Sequence, residues 1–556
     1  MCLGLTKRRS GSFGCSHGAD GGRLRIRAQS VYDGPSEKTM EDIARGVRSF
    51  SIGTAISRVL GLVRESVFAW LFGAGRSTDA FVAAFRIPNL LRDLFAETAL
   101  SAAFVPVLAS EKAKGKEAQN RFASNVFNVL FLAAGLVSIA GVFLSPQLAR
   151  LIAVGFGGVP EKIELTARLT AVVFPFLLFI ALAAWAMSYL NTEGSFFLPS
   201  LAPAFFNMAS IAVPVGLYGW FVRRGGDPIY GMAIGVVAGG LMQFLVQIPG
   251  LHRKGFRFRP VIDFRDPALR RALALFIPVA VGLAASRINI TVSTVLVTLL
   301  EEKSMTWLNY AFRVMHLPLG LFGIAVGTVA LPRLSRLAGE GRLEEIRETV
   351  TDSLKMVFVM TIPAAAVMAF LASPITRLIY ERGKFTPLDT AATAQALVLY
   401  LLGIPFMSAL RNAAAAFYAW KDARTPMRAG LASIAANIVL NLILMRPLGF
   451  LAFPLSATIA SVLNLGILMA LLPRRIGPTD WGPLAGFFLR TTAAAAVGGA
   501  AGWFLNTELA RIPGPAFLSS LLGVVLAGAA ALAVFYAAGR LLGLREIRDY
   551  AVRFLK

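Results

Sequence analysis

Long apolar runs recur along this chain from residue 49 to residue 543, separated by charged or Gly/Pro-rich breaks. Most runs have about 20 residues or more, enough for a helix to cross a hydrocarbon core of roughly 30 Å. Lipid offers the backbone no hydrogen-bond partner, so helices are expected in these runs. The pattern predicts fourteen transmembrane helices, at 49–72, 78–110, 121–154, 165–190, 197–222, 229–251, 268–300, 304–334, 346–381, 388–420, 425–446, 449–473, 484–506 and 516–543.

Composition agrees with a polytopic, all-α membrane protein. Hydrophobic residues make up 56% of the 556 residues and charged residues only 15%, and the mean hydropathy is +0.66. These values lie outside those of soluble domains. Composition alone therefore predicts an integral membrane protein.

Lys and Arg concentrate in alternate gaps, after the second, sixth, eighth, tenth and twelfth predicted helices. The positive-inside rule assigns these gaps and both termini to the cytoplasm. Residues 222–227, VRRGGD, are a local exception on the other side. The net charge of +24 then reflects topology and attraction to anionic membrane lipids, and a nucleic-acid partner is disfavoured.

The first 45 residues are rich in Gly, Ser and Arg and lack apolar periodicity, which predicts a disordered extension. Met40 is an alternative start. Cys2 and Cys15 both lie in this tail, so cysteine supports neither a disulfide framework nor a metal-thiolate site in the membrane region.

An internal repeat links the two halves of the chain. Spaced identities recur at an offset near 227 to 230 residues, at 84–86 and 311–313, 94–95 and 321–322, 105–108 and 331–334, 175–176 and 405–406, and Asn207 and Asn437. The offset spans six predicted helices, so the copies enter the membrane in the same direction. This predicts parallel six-helix lobes at 46–255 and 256–475, two further helices in 476–545 and a tail at 546–556, with substrate between the lobes.

Eight ionisable residues lie within the first two predicted helices. They are Arg58, Arg64, Glu65, Asp79, Arg86, Arg92, Asp93 and Glu97. Each costs roughly 2.5 to 3.5 kcal/mol near the middle of a span, so partners, water or a charged ligand are required. Two interpretations stay open: guanidinium groups that grip phosphate in a polar cavity, or internal pairs that lock the two helices together, with Asp79 and Arg64 as the structural candidates.

The second lobe carries Arg313, and Arg287 on the preceding helix. No carboxylate lies near Arg313 in the sequence, which favours it as an anion ligand. His316, one turn later, is interpreted as either a proton-responsive group or, preferably, a hydrogen-bonded interior residue.

Asn437 and Asn441 lie four residues apart on the eleventh predicted helix, and Ser293 lies on the seventh. Their oxygens could coordinate a cation, although hard cations usually also require a carboxylate. Hydrogen bonding between helices is the preferred interpretation of all three side chains.

Several motifs resemble the MurJ/MviN lipid II flippase family of the multidrug/oligosaccharidyl-lipid/polysaccharide exporter superfamily. They are SRVLGLVRE at 57–65, FGAGRSTDAF at 72–81, FRIPNLLRDLFAETALSAAFVPVLA at 85–109, ERGKFTPLD at 381–389 and FYAWKDARTP at 417–426. The resemblance covers about residues 45–545. It implies lipid II as cargo, a cationic central cavity, a groove along the last two helices for the lipid tail, a bacterial inner-membrane location and no cofactor.

The resemblance also implies roles in cargo binding or gating for the matching positions, which are Arg58, Arg64, Asp79, Arg92, Glu97 and Arg313. The chain departs from the family pattern at Asp93, where a second Arg is common, and at Phe312 and His316, where acidic residues are often found. The hypothesis is that diphosphate binding has shifted toward Arg313, with Arg58 and Arg92 facing it and Arg287 adding positive charge.

Other functions remain as alternatives. Within transport they are a flippase for another polyprenyl-linked oligosaccharide and a cation-coupled drug antiporter, and a coupling cation is open as a partner. An integral membrane glycosyltransferase is disfavoured, because the predicted outward loops are too short for a catalytic domain. Alternating access without covalent chemistry is the mechanism that the predicted lobes favour.

Overall fold

A computed structural model describes residues 37–92, 99–322, 325–512, 516–544 and 546–547. Two predicted site residues, Asp93 and Glu97, lie outside these described residues, as does most of the predicted N-terminal extension. The chain divides into two compact units, residues 1–45 and 46–556. All structure discussed below belongs to the second unit, apart from the beginning of the first helix.

Every regular element in the described ranges is helical. The α-helices are α1 (Glu37–Phe72), α2 (Arg76–Arg92), α3 (Ala99–Ala113), α4 (Lys116–Phe143), α5 (Ser145–Ile152), α6 (Pro160–Val173), α7 (Phe176–Thr192), α8 (Phe197–Arg223), α9 (Ile229–Leu245), α10 (Ile248–Arg253), α11 (Pro267–Val297), α12 (Ser304–Phe322), α13 (Ala325–Gly339), α14 (Leu343–Phe370), α15 (Ala372–Tyr380), α16 (Pro387–Ala419), α17 (Arg424–Leu448), α18 (Ala452–Leu471), α19 (Pro473–Ile476), α20 (Gly482–Leu509) and α21 (Ala516–Leu541). Short 3-10 turns occupy Val154–Gly158 and Gly449–Leu451.

The predicted all-helical membrane fold is confirmed. Among the described residues, nine helical stretches are long and apolar enough to cross a membrane. The charged first two spans are not among the nine, so the total of fourteen stays a prediction. The spans predicted at 121–154 and 346–381 each divide into two helices: α4 ends at Phe143 before α5, whose first turn contains Pro146, and α14 ends at Phe370 before α15. The helix α1 begins at Glu37.

Corresponding helices of the two halves begin at a constant offset along the chain. The helices α4, α5, α6 and α8 begin 227 residues before α14, α15, α16 and α17, respectively. Packing repeats as well, since α8 lies against α9 as α17 lies against α18. This regularity supports the parallel repeat that the spaced identities indicate.

Three apolar clusters pack these helices. One lies in the first lobe around Trp185, whose indole N–H donates to the Ala123 carbonyl oxygen at 3.1 Å. A second lies in the second lobe and includes residues of α20 and α21. The third draws on both lobes, with Phe156 from the first and Tyr380 from the second, and it lies beside the loops that the topology predicts to be outside.

The connection between the lobes is attached to the first lobe. The Asn125 amide donates to the Asp263 carbonyl oxygen and accepts from the Asp263 N–H, both at 2.9 Å. Asp266 caps α11, and Arg271 on its first turns pairs with Glu111 of α3 at 2.9 Å. The beginning of α11 therefore packs on the first lobe, although it follows the predicted boundary at residue 256.

Candidate substrate site between the lobes

The buried carboxylate of Glu65 joins the two lobes. Glu65 on α1 is 4% exposed, and its Oε1 lies 2.5 Å from Nη2 of Arg64 and 2.8 Å from Nη1 of Arg313 on α12. Arg92, the last residue of α2, acts on Arg64 electrostatically, as Arg313 does. We call Arg64, Glu65, Arg92 and Arg313 the interlobe charge cluster.

Aromatic rings lie beside this cluster. The Arg64 guanidinium lies 5.3 Å from the ring centroid of Phe206 and 5.8 Å from that of Phe68, within the range of cation–π attraction. The rings of Tyr310 and Tyr380, tilted by 40° with centroids 4.6 Å apart, are both buried. Charges in such a poorly solvated site interact more strongly than they would in water.

A second set of cross-lobe contacts lies at the beginning of α2, toward the side predicted to be outer. Asp79 is 1% exposed and pairs with Lys162 of α6 at 3.1 Å. The same carboxylate accepts hydrogen bonds from the backbone N–H groups of Lys303 and Thr306 at 2.8 and 3.1 Å, and from the Thr306 hydroxyl at 2.6 Å. Asp79 therefore caps the first turn of α12 in the opposite lobe.

Lys303 extends these contacts to a second carboxylate. Its backbone is left-handed, with φ of 79°, a conformation that a non-glycine residue rarely adopts without constraint. The Lys303 ammonium lies 3.3 Å from Asp389 of α16, and the Trp307 indole N–H donates to the same Asp389 oxygen at 3.0 Å. We call Asp79, Lys162, Lys303, Thr306 and Asp389 the outer latch.

Two backbone contacts flank the outer latch in repeat-related positions. The Gly155 N–H donates to the Thr298 hydroxyl oxygen at 3.0 Å, and the Lys384 N–H donates to the Trp70 carbonyl oxygen at 3.1 Å. Each joins a loop of one lobe to a helix end of the other. The lobes are thus closed against each other on the side predicted to be outer.

Gly155 provides a test of this closure. A Cβ added there would lie 2.1 Å from the Thr298 carbonyl oxygen, whereas one added at Gly157 would meet nothing within 4 Å. Gly155→Ala is expected to destabilise the closed contact by about 1–3 kcal/mol, as overpacking does. A cysteine at Ser461, with Cys2 and Cys15 replaced by Ser, should then react faster with an impermeant thiol reagent added outside.

Gly157→Ala is the matched control and should leave the labelling rate unchanged. Equal rates for the two alanine variants would contradict the assignment of this contact to the outer closure.

A cavity of about 280 Å³ lies mainly within the second lobe. Asn289, Asn309 and Asn437 line it, and Arg86 of α2 is the charged residue among the described residues of its wall. Asn441 donates to the hydroxyl oxygen of Ser293 at 3.3 Å and to the amide oxygen of Asn437 at 3.2 Å. The bond to Ser293 joins α17 to α11, whereas the bond to Asn437 lies within α17. A role in cation binding stays a prediction.

The structure brings together charges that the sequence analysis did not pair. Arg313 does have an acidic partner, because Glu65 reaches it from a distant part of the sequence. Glu65 lies opposite Arg313, in the position where the sequence analysis expected Arg58. Glu65 and Asp79 do not bond to each other's helices in the structure, because both bond to α12 of the other lobe.

The other predicted residues have varied surroundings. The His316 ring lies 2.8 Å from the Phe312 carbonyl oxygen through Nδ1, but the residue is exposed and not interior. Arg58 is exposed on α1, and Arg287 is half-buried on α11. Their roles in binding stay predictions.

Sequence reasoning missed Lys162, Lys303 and Thr306, and it did not single out Asp389 within ERGKFTPLD. A signal was present in the repeat, because Lys162 and Asp389 are separated by 227 residues, as are Asp79 and Thr306. The repeat thus brings opposite charges to matching places. Only the approach of the lobes reveals that these residues share one network.

Two repeated helical lobes that meet around partly buried arginines define a membrane transporter of the alternating-access class. A family model described as lipid II flippase MurJ matches residues 68–522. The chain belongs to the lipid II flippase MurJ family. This confirms the prediction of a multi-pass bacterial inner-membrane transporter, not an enzyme.

Relatives and solved structures agree with that membership. The chain is 36% identical over 424 residues to the probable lipid II flippase MurJ of Vibrio cholerae, covering 75% of this chain and 80% of the relative. It is 32% identical over 462 residues to lipid II flippase MurJ of Burkholderia cenocepacia, covering 82% and 89%.

Among solved structures, lipid II flippase MurJ in an inward closed conformation matches with a TM-score of 0.68 at 28% identity, over 88% of this chain and 98% of that one. An inward-facing multidrug resistance MATE family transporter of the MOP superfamily matches with a TM-score of 0.61 at 14% identity, over 78% and 98%. The second match concerns the fold alone.

Proposed function

We propose that this chain carries lipid II from the cytoplasmic to the outer leaflet of the inner membrane by alternating access between its two lobes. The observation that carries the proposal is the link from Arg64 through Glu65 to Arg313. It brings cations of both lobes to one buried carboxylate in a chain of this family. A lipid-linked diphosphate needs cations between the lobes, because its head must cross the membrane away from lipid.

Charge and geometry both fit a diphosphate. The interlobe charge cluster brings together three guanidinium groups and one carboxylate, and guanidinium groups form charge-assisted hydrogen bonds with phosphate oxygens. Each guanidinium is planar and can bind two phosphate oxygens at once. Arg64 and Arg92 come from the first lobe and Arg313 from the second, so a bound diphosphate would contact both lobes.

Glu65 can pair with these arginines when no cargo is bound and release them when cargo enters. Without cargo, its carboxylate neutralises part of the buried positive charge, which would otherwise be costly. A diphosphate that enters replaces Glu65 as the partner of Arg313, and Glu65 pairs again when the diphosphate leaves. Cargo binding then changes the cross-lobe contact at Glu65 and biases the lobes toward a different arrangement.

The tail of the cargo requires an apolar path. The faces of α20 and α21 include exposed Val497, Phe504, Phe517 and Val525. A polyprenyl chain can remain in lipid along this surface while the head crosses between the lobes. Both termini are assigned to the cytoplasm in this scheme, in keeping with the cation-rich gaps.

Depletion of the protein in its native cell tests the function. Lipid II should accumulate and become inaccessible to an impermeant probe added outside, and re-expression of the wild-type chain should restore access. Normal outward exposure of lipid II after depletion would defeat the flippase proposal. If re-expression restored transport of an unrelated lipid-linked oligosaccharide but left lipid II inaccessible, the rival cargo would be favoured.

A further inference from the structure

We propose that a pocket between α17 and α18, at the membrane face predicted to be cytoplasmic, binds the headgroup of an anionic phospholipid. The pocket has a volume of about 450 Å³ and lies far along the helices from the interlobe charge cluster. Arg428 of α17 and Arg474 and Arg475 of α19 line it. The proposal goes beyond the transport function, and its test does not require lipid II.

The pocket combines a basic rim with an apolar floor. Phe417 and Ala429 are buried beneath it, and Ile467 and Leu471 form the wall on α18. Arg428 and Arg474 are exposed at the rim. Guanidinium groups above an apolar surface fit a phosphate attached to acyl chains better than they fit a free anion.

A carboxylate beside the pocket holds one of the three arginines. The Arg475 guanidinium lies 2.9 Å from Asp422 in the loop before α17. Hydrogen bonds from the Thr425 backbone N–H and hydroxyl lower the pKa of the Asp422 carboxyl, which Arg475 also favours in its ionised form. Asp422 therefore stays charged and positions Arg475, which leaves two further cations at the rim for a ligand.

The surroundings indicate a lipid from the bilayer. Leu431 lies one turn beyond Arg428 on α17, and Leu463 lies one turn before Ile467 on α18. Both side chains are exposed and extend the apolar floor toward the middle of the membrane. A lipid whose phosphate contacts the arginines would therefore have its acyl chains beside apolar side chains.

The first lobe lacks the positive charge of this pocket at the matching position of the repeat. Leu201 is the fifth residue of α8, as Arg428 is the fifth residue of α17. The repeat therefore has an apolar residue where the second lobe has the rim arginine. A general attraction of basic loops to the membrane would not require this difference.

Native mass spectrometry of the purified full-length protein tests the site with phosphatidylglycerol and with phosphatidylcholine of the same acyl chains. The wild type should retain phosphatidylglycerol more tightly. Because one cation near an anionic lipid changes affinity roughly fivefold, Arg428→Gln with Arg474→Gln should weaken phosphatidylglycerol binding by about 25-fold. Arg446→Gln, at the other end of α17, is the matched control and should change nothing.

A second variant leaves the three arginines unchanged and fills the pocket with a larger side chain. Ala432→Trp should weaken retention of both lipids, because Ala432 lines the pocket. Unchanged phosphatidylglycerol binding in the double Gln variant, or equal retention of the two lipids by the wild type, would overturn the site. Displacement of the lipid by inorganic phosphate at equal concentration would overturn it in favour of a soluble anion. Loss of flipping activity would leave this result unaffected, so the two proposals fail separately.

Discussion

Arg313→Ala should reduce lipid II flipping at least tenfold while the protein remains folded in the membrane. The substitution removes the second lobe's guanidinium from Glu65, and a charge-assisted hydrogen bond of this kind contributes about 1.5–3 kcal/mol. Flipping is measured as the rate at which lipid II becomes accessible to an impermeant probe outside. Arg377→Ala is the control, because Arg377 is exposed on α15, away from the cluster.

A double variant separates cargo binding from simple locking of the lobes. Glu65→Gln with Arg313→Gln removes both charges, so neither is left buried without its partner. If Arg313 binds the diphosphate, the double variant stays inactive. Recovery of flipping would instead identify the pair as a structural lock, and full activity of Arg313→Ala beside an inactive Arg92→Ala would refute the shift of binding toward Arg313.

Asp79→Asn should open the outer side of the protein. Lys162, which is 5% exposed, loses its ionised partner, and breaking a buried pair in this way costs about 3–5 kcal/mol. The first turn of α12 also loses a charged cap in the other lobe. A cysteine at Ser461 should therefore react faster with an impermeant reagent outside, and flipping should slow because closure is impaired.

Asp227→Asn is the matched control for this experiment. Asp227 lies near the same membrane face but accepts hydrogen bonds from Ser77 and Ile229 of its own lobe, so outer labelling should not change. Adding Lys162→Met to Asp79→Asn removes the unpaired cation. Continued fast labelling in that double variant assigns the closure to the α12 cap, whereas slow labelling assigns it to the ion pair.

Much of the fold could be predicted because its signals are local. A run of apolar residues predicts a span wherever it occurs, and the regular offset of the helices follows from identities that can be compared along the chain. The differences from the prediction also have local causes. Pro146 ends one helix and begins another, and Asp266 together with Arg271 attaches the beginning of α11 to the first lobe.

The sequence by itself determined that this is a helical membrane protein, that its halves repeat, and that arginines must lie within its spans. It also indicated the family through FRIPNLLRDLFAETALSAAFVPVLA. Only the tertiary structure decided which charges meet, such as Glu65 with Arg313 and Asp79 with Lys162 and Thr306. The reason is physical: hydropathy and helical periodicity concern neighbours along the chain, whereas a buried charge takes its partner from whichever segment the packing of the lobes brings within about 3 Å.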